Sequence, residues 1–303
     1  MLLADFIREG TKSLGSLYPE REARSIILML CKSLLGTSSY THIVEPLKEV
    51  EPGSETAIDA AVQRLLAGEP VQYVLGFAEF CGFRFRVTPD VLIPRPETEQ
   101  LVREAVDGLS SLREVRRREG RRADPMRVLD LCTGSGCIAW SVALLSPGTE
   151  VVGVDVSEAA LALAGTQDFV QECKAVGAVP PLFVKADVLD TERDFAYGSF
   201  DLILSNPPYI MESERTNMHR NVLDFEPDLA LFVPDADPLV FHRAVAEWSR
   251  RFLVPDGMGI CEINERLADG TEGGFRAAGF SQTSIVKDIF DRNRFVKYSR
   301  NPL

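Results

Sequence analysis

The feature that most constrains the fold of this chain is a series of short apolar segments after Pro125, separated by stretches long enough to hold a helix. The segments are Val128 to Leu131, Val151 to Val154, Leu182 to Val184, Leu202 to Leu204 and Gly259 to Ile263. Such runs are typical of parallel strands covered by helices. The sequence therefore predicts an α/β fold with a doubly wound, mostly parallel sheet. Ligands bind such sheets at the carboxyl ends of the strands, so functional residues are expected just after each run.

The residues before this series have a different pattern. In Ala57 to Leu66 the apolar side chains recur every three to four residues, which predicts a helix that Gly68 and Pro70 end. From Tyr73 to Val87 aromatic and branched residues alternate, which favours a β-hairpin. We therefore expect three parts: a helical domain over 1–75, a hairpin and linker over 76–95, and a sheet domain over 96–303.

The charge balance argues against a nucleic-acid partner. The formal net charge is −12, whereas nucleic-acid binding usually needs a basic face. The strongest basic run is Arg113 to Arg122, whose interleaved glutamates and lack of aromatic residues favour a solvated helix end or loop. The stretch Leu112 to Met126 is interpreted as the end of an interdomain helix plus a linker.

Other features narrow the setting of the protein. No run of about 18 apolar residues occurs, and Met1 to Asp5 lacks the pattern of a secretion signal, so we expect a cytoplasmic protein without a membrane partner, working as a monomer. The six cysteines are scattered and only three histidines are present, which predicts reduced thiols and no metal site.

A glycine-rich loop follows the first apolar run. It comprises Thr133, Gly134, Ser135, Gly136 and Cys137. Glycines there let the backbone turn tightly and approach a ligand at the start of a helix. Asp155 ends the second run about 20 residues later, where an acid can accept hydrogen bonds from ribose hydroxyls. Together these residues indicate an adenosine-containing cofactor, with a structural turn and an unrelated aspartate as the alternative.

Asp187 follows the third apolar run, and Val188 stands beside it. A carboxylate here can accept a hydrogen bond from an adenine amino group. An equally open interpretation is that Asp187 caps a helix.

The fourth run ends in Asn206-Pro207-Pro208-Tyr209. Two prolines remove two backbone donors and stiffen the loop, which leaves carbonyls and the Asn206 side-chain oxygen to accept hydrogen bonds. Tyr209 adds an aromatic face that can lie against a planar amide or base. The four residues therefore predict a catalytic and substrate-binding site for an NH2 group, in which Asn206 also borders the cofactor.

These motifs together resemble the class I methyltransferases that act on planar exocyclic nitrogens. Further segments make the chain similar to the release-factor glutamine methyltransferases, known as PrmC or HemK. They are Gly68-Glu69-Pro70-Val71-Gln72-Tyr73-Val74-Leu75-Gly76, Leu92-Ile93-Pro94-Arg95-Pro96-Glu97-Thr98-Glu99 and Phe225-Glu226-Pro227, and the match runs from about residue 20 to the end, with Asp288 and Arg294. After Glu262 the chain departs from the family, which tends to show a glycine and then a glutamine, since it reads Ile263-Asn264-Glu265.

The resemblance implies a Rossmann-like methyltransferase sheet, S-adenosyl-L-methionine as cofactor and S-adenosyl-L-homocysteine as product. It implies that the substrate is the glutamine of the Gly-Gly-Gln loop in class 1 peptide-chain release factors and that the helical domain docks this partner. We expect direct transfer to the amide nitrogen, oriented by the Asn206 oxygen and the Pro207 carbonyl. No strong base is required, in line with the absence of a histidine near any motif.

Three alternatives remain open. DNA adenine presents the same planar NH2 group, a ribosomal-protein glutamine presents the same amide, and a silent protein could hold the cofactor for structure alone. The acidic charge and the lack of a DNA-reading module disfavour the first. The complete Asn206 to Tyr209 motif disfavours the third.

Overall fold

The computed structural model describes residues 1–301, apart from the side chain of Pro52. Its helices are α1 (Leu3–Leu14), α2 (Glu20–Leu35), α3 (Thr41–Val44), α4 (Pro52–Leu66), α5 (Val71–Leu75), α6 (Thr98–Arg118), α7 (Cys137–Leu145), α8 (Glu158–Gly165), α9 (Val170–Val176), α10 (Arg220–Phe225), α11 (Val240–Phe252) and α12 (Ala268–Ala277). Its strands are β1 (Phe77–Phe80), β2 (Phe83–Arg86), β3 (Met126–Leu131), β4 (Thr149–Asp155), β5 (Leu182–Lys185), β6 (Phe200–Ser205), β7 (Ile210–Met211), β8 (Phe232–Val233), β9 (Leu253–Glu262), β10 (Gln282–Lys287) and β11 (Asn293–Ser299).

Seven strands form one sheet in the order β10-β11-β9-β6-β3-β4-β5. Pairing is parallel from β9 through β6, β3 and β4 to β5, whereas β11 pairs antiparallel with both β9 and β10. The chain moves from β3 outward through β4 and β5, and then returns to the other side of β3 through β6. This reversal opens a crevice beyond the carboxyl ends of β3 and β6, where doubly wound sheets bind ligands. The predicted α/β class is confirmed.

Both faces of the central strands are covered, which explains their nearly continuous apolar sequences. Every residue of β6 is buried. Leu202 and Leu204 belong to the core that contains Leu101 of α6, while Ile203 belongs to the opposite core with Trp248 of α11. Packing on both faces fixes the end of β6, and with it the position of the segment that follows.

By their internal contacts the described residues divide into two units. The front unit comprises Met1–Phe77 and Met218–Glu226, and the sheet unit comprises Ala78–Asn217 and Pro227–Leu303. Within the front unit, the ring of Phe225 lies 3.8 Å from the place where a Cβ on Gly68 would stand. A short stretch from late in the chain thus joins the N-terminal helices. The boundaries expected at 75 and 95 stay predictions, and residues 302 and 303 of the expected 96–303 domain lie outside the described residues.

Two local predictions were wrong. The expected change to strands at Tyr73 comes too early, because α5 continues to Leu75 before the hairpin of β1 and β2 begins. The stretch 112–126 is not an interdomain linker, since it joins α6 to β3 inside the sheet unit.

The interpretation of Arg113 to Arg122 as solvated is wrong for Arg116. Arg116 is buried, and its guanidinium pairs with Asp201 at 2.6 Å and with Asp256 at 3.0 Å. The arginine run therefore anchors the end of α6 on the sheet.

No helix within residues 1–301 is both long and apolar enough to span a bilayer.

Candidate active site

The loop after β3 turns sharply before α7 begins. Gly134 and Gly136 have φ angles of 53° and 78°, in the left-handed region that favours glycine. At Gly136 a Cβ would lie 3.0 Å from both the Ala164 methyl and the Phe183 ring, so packing also requires glycine there. A Cβ on Gly134 would meet nothing within 4 Å. The loop is therefore fixed on its inner side and open to a ligand on its outer side.

Asp155 ties the end of β4 to this loop. Its Oδ2 accepts a hydrogen bond from the Gly134 backbone N–H at 2.8 Å, and its Oδ1 accepts one from the Ser157 N–H at 3.0 Å. Burial raises the pKa of this carboxyl, and the backbone donors oppose the shift. Each carboxylate oxygen keeps a further lone pair, so Asp155 can still accept hydrogen bonds from hydroxyl groups of a ligand.

Asp187 and Val188 lie just after β5, and hydrogen bonds fix both residues. The Asp187 carboxylate accepts a hydrogen bond from the Leu189 N–H at 2.8 Å within a turn, so the alternative of a helix cap is wrong. The Val188 carbonyl accepts a hydrogen bond from the Trp248 indole at 2.9 Å, which fixes this turn against α11.

A cavity of about 380 Å³ lies at this edge of the sheet, formed wholly by residues of the sheet unit. Of the site residues predicted from the sequence, it brings together Thr133, Gly134, Ser135, Cys137, Asp155, Asp187, Val188, Asn206 and Pro208. Gly136, Pro207 and Tyr209 are not on its wall. The other side of the wall includes Pro94, Arg95 and Thr98, which precede or begin α6. Among residues 1–301 no group of three or more Cys, His, Asp or Glu could hold a metal ion.

The side-chain amide of Asn206 is hydrogen-bonded to a buried hydroxyl group. Its Nδ2 donates to the Thr98 Oγ1 at 3.3 Å, and the Thr98 hydroxyl donates to Glu262 Oε2 at 2.8 Å. Thr98 and Glu262 are 2% and 1% exposed, so this pair is shielded from water. Neither residue has a role that was predicted from the sequence. The only signals were the position of Thr98 after the proline-rich Leu92 to Glu97 segment and that of Glu262 within the last apolar run.

Tyr209 also forms a hydrogen bond with Glu262. Its hydroxyl donates to Glu262 Oε1 at 2.9 Å, and burial with the neighbouring Glu262 charge raises the pKa of Tyr209 well above its usual value. Burial also raises the pKa of Glu262, while the two hydroxyl donors and the charge of Arg294 oppose that shift. Tyr209 thus holds Glu262, and the predicted stacking of its ring on a substrate stays a prediction.

One buried histidine lies beside Glu262. His242 is buried on α11, and its Nε2 lies 3.1 Å from the Glu262 carbonyl oxygen. Burial lowers the pKa of His242 to about 4, so the ring is neutral at pH 7. It supports the backbone at the end of β9 and is not on the wall of the cavity.

Known proteins are similar to this chain over most of its length. Residues 118–224 match the family model of the methyltransferase small domain, and residues 5–76 match that of the PrmC N-terminal domain. The release factor glutamine methyltransferase of Bacteroides thetaiotaomicron is 36% identical over 95% of this chain and 97% of its own. That of Bordetella pertussis is 38% identical over 89% of this chain and 91% of its own. The crystal structure of the hMettl16 catalytic domain in complex with MAT2A 3′UTR hairpin 6 matches with a TM-score of 0.52 and 11% identity, covering 83% of each chain.

A sheet of this order, with a glycine loop and an acid after its first two central strands, defines a class I methyltransferase. The similarity to the curated relatives extends over almost the whole chain. The chain belongs to the release factor glutamine methyltransferase family.

Proposed function

We propose that this protein transfers a methyl group from S-adenosyl-L-methionine to the side-chain amide nitrogen (N5) of the glutamine in the Gly-Gly-Gln motif of class 1 peptide-chain release factors. The observation that carries the proposal is the placement of Asn206. Asn206 borders the same cavity as the glycine loop and Asp155, and its Nδ2 donates to the Thr98 hydroxyl oxygen. The amide oxygen is therefore the end that can receive a substrate NH2 group.

The residues around the cavity fit the cofactor. Asp155 offers carboxylate acceptors for ribose hydroxyls, Asp187 offers one for the adenine amino group, and the open side of Gly134 allows close approach of the backbone. Thr133, Ser135, Gly136, Cys137 and Val188 complete the proposed cofactor site. When bound, S-adenosylmethionine supplies an electrophilic methyl group on sulfur.

In the proposed mechanism the chain orients a weak nucleophile. The lone pair of an amide nitrogen is delocalised, so the enzyme must fix the nitrogen in line with the methyl group. Asn206 Oδ1 accepts one amide hydrogen, and Pro208 and Tyr209 keep the segment rigid. The Pro207 carbonyl as acceptor of the second hydrogen stays a prediction from the sequence, since Pro207 is not on the cavity wall. Such orientation can contribute roughly 7–11 kcal/mol to lowering the barrier. After transfer the nitrogen loses one proton to water.

We expect Asp155→Ala to weaken cofactor binding about tenfold or more, because hydrogen bonds to a charged group are each worth roughly 1.5–3 kcal/mol. Calorimetric titration with S-adenosylhomocysteine measures the dissociation constant. Glu158→Ala is the matched control, since Glu158 is an exposed acid three residues away that pairs with Lys185 and is not on the cavity wall. Equal affinities of parent and Asp155→Ala would remove Asp155 from the cofactor site.

We further propose that the front unit recognises the protein substrate. Its four most exposed large apolar side chains lie within eight residues: Tyr40, Ile43, Val44 and Leu47, with exposures of 63–81%. Grouped apolar exposure of this kind is typical of an interaction surface. Deleting residues 1–75 is not a clean test, because α10 would lose the helices of its own unit.

Replacement of two exposed side chains is the cleaner test. For the Ile43→Ser/Leu47→Ser double variant we expect KM for the release factor to rise about tenfold, since truncation of a central contact costs more than roughly 1 kcal/mol. Cofactor affinity is expected to stay unchanged. Leu17→Ser/Leu34→Ser is the control, because both leucines are partly exposed elsewhere on the same unit. A KM equal to that of the control would place partner recognition elsewhere.

The substrate itself is tested by mass spectrometry after incubation with the methyl-labelled cofactor. A class 1 release factor, a ribosomal extract and an adenine-containing DNA oligonucleotide are offered separately. A mass gain of one methyl on the Gly-Gly-Gln glutamine supports the proposal, and transfer only to a ribosomal protein or to adenine replaces it. Because the named relatives act on release factors, we propose that the protein works in the cytoplasm, and that it does so as a monomer.

A further inference from the structure

We propose that Thr98 and Glu262 are positioning residues that set the direction of the Asn206 amide, and that they thereby make the site select glutamine over glutamate. The proposal rests on the proposed function and deepens it. It assigns roles to two residues, one at the start of α6 and one at the end of β9, that do not belong to the Asn206 to Tyr209 segment.

The Glu262 carboxylate fixes the direction of two hydrogen bonds. Two hydroxyl groups approach its two oxygens separately, Thr98 at Oε2 and Tyr209 at Oε1. A carboxylate can only accept hydrogen bonds, whereas each hydroxyl has a single hydrogen to donate. Burial raises the pKa of Glu262, whereas the two hydroxyl donors and the charge of Arg294, which pairs with Asp288 at 2.9 Å, favour the ionised acid. A separate hydroxyl at each of the two oxygens is the arrangement that a carboxylate accepts. Both hydroxyl hydrogens are therefore committed to Glu262.

The Thr98 hydroxyl in turn fixes the orientation of the Asn206 amide. With its hydrogen committed, the Thr98 oxygen can only accept, so the Asn206 group that lies 3.3 Å away must be the NH2 end. The flipped amide would bring two acceptor oxygens together at this distance, in a place where Thr98 is 2% exposed and water cannot separate them. A buried acceptor without a donor is costly, so the flipped state is disfavoured.

The orientation of the Asn206 amide decides which of its groups is available to the substrate. Among the described residues no group donates to Asn206 Oδ1, and Asn206 borders the cavity. The site therefore offers an acceptor at this point. A glutamine can donate from its NH2 group, whereas the carboxylate of a glutamate can only accept and would face a second acceptor. Sites built to bind a donor reject analogues that lack it, because the polar group is left unpaired.

Thr98→Val tests this role, because valine keeps the shape of threonine and removes the hydroxyl. Without the hydroxyl the Asn206 amide can take both orientations. We expect kcat with the release factor to fall about tenfold, the size expected for one lost hydrogen bond, with little change in KM. A release factor that carries glutamate in place of that glutamine serves as an inhibitor. We also expect the ratio of its inhibition constant to the KM of the glutamine form to fall about tenfold. Thr98→Ser restores the hydroxyl and should restore both kcat and the discrimination.

Thr271→Val is the matched control. Thr271 is a buried threonine of the same unit whose hydroxyl donates to the Leu267 carbonyl at 2.9 Å, away from the cavity. It should lower stability without changing discrimination against glutamate. If Thr98→Val binds S-adenosylhomocysteine like the parent yet discriminates like the parent, or if Thr98→Ser fails to rescue, the positioning role is wrong. If the parent itself does not methylate the release factor, it is the proposed function that fails.

Discussion

Asn206→Ala is expected to lower methyl transfer to the release factor by roughly ten- to a hundredfold while leaving cofactor affinity nearly unchanged. The alanine removes the acceptor proposed for the substrate amide and leaves that buried donor unpaired, which costs roughly 1–3 kcal/mol. The loss is larger if the amide also loses its alignment with the methyl group. The donor from Asn206 to Thr98 disappears as well, but the Thr98 hydroxyl keeps its bond to Glu262.

Single-turnover rates with the release factor measure this effect, and calorimetry with S-adenosylhomocysteine measures cofactor affinity separately. Asn206→Asp tests the geometry, because a carboxylate still accepts a hydrogen bond but adds a charge beside buried Glu262. Asn301→Ala removes an exposed amide of the same unit, whose Nδ2 donates to the Pro255 carbonyl, and should leave the rate unchanged. A rate for Asn206→Ala equal to that of this control would show that Asn206 does not hold the substrate amide.

Arg116→Ala is expected to destabilise the sheet unit by about 3 kcal/mol. The Arg116 side chain is 10% exposed, and it bridges Asp201 at the start of β6 to Asp256 in β9. Its loss leaves Asp201, itself 10% exposed, without the cation that balances its charge. The Arg127 backbone N–H, which donates to Asp201 at 2.6 Å, replaces only part of that interaction. Removing one partner of a buried ion pair is much more costly than removing both.

Urea unfolding followed by circular dichroism measures the change. Arg118→Ala is the control, because Arg118 lies on the same helix end with a 74% exposed side chain and, within residues 1–301, pairs only with Glu114. Such an exposed pair is worth about 0–1 kcal/mol. The Arg116→Ala/Asp201→Ala double variant should be more stable than the sum of the single losses implies. Equal losses for Arg116→Ala and Arg118→Ala would mean that the buried bridge does not stabilise the sheet.

Much of the fold could be predicted because its central strands are buried on both faces. Burial on both faces produces apolar runs, and all five runs lie within or overlap parallel strands of the sheet. The carboxyl ends of parallel strands meet at one edge, so the position of each run also predicted where Gly134, Asp155 and Asn206 would converge. The β-hairpin and the N-terminal helices could be predicted for the same reason, because the spacing of apolar residues indicates which face of an element is buried.

The sequence by itself thus determined the strands, the glycine loop and the segment that follows β6, because each is encoded by neighbouring residues. Only the tertiary structure decided which distant side chains meet. Thr98 lies 108 residues from Asn206 and 164 from Glu262, and Arg116 lies 140 from Asp256. Contacts of this kind follow from how the strands are ordered and how α6 packs on the sheet, and they leave no periodic trace in the chain. The same holds for Met218–Glu226, which packs with helices that precede it by more than a hundred residues.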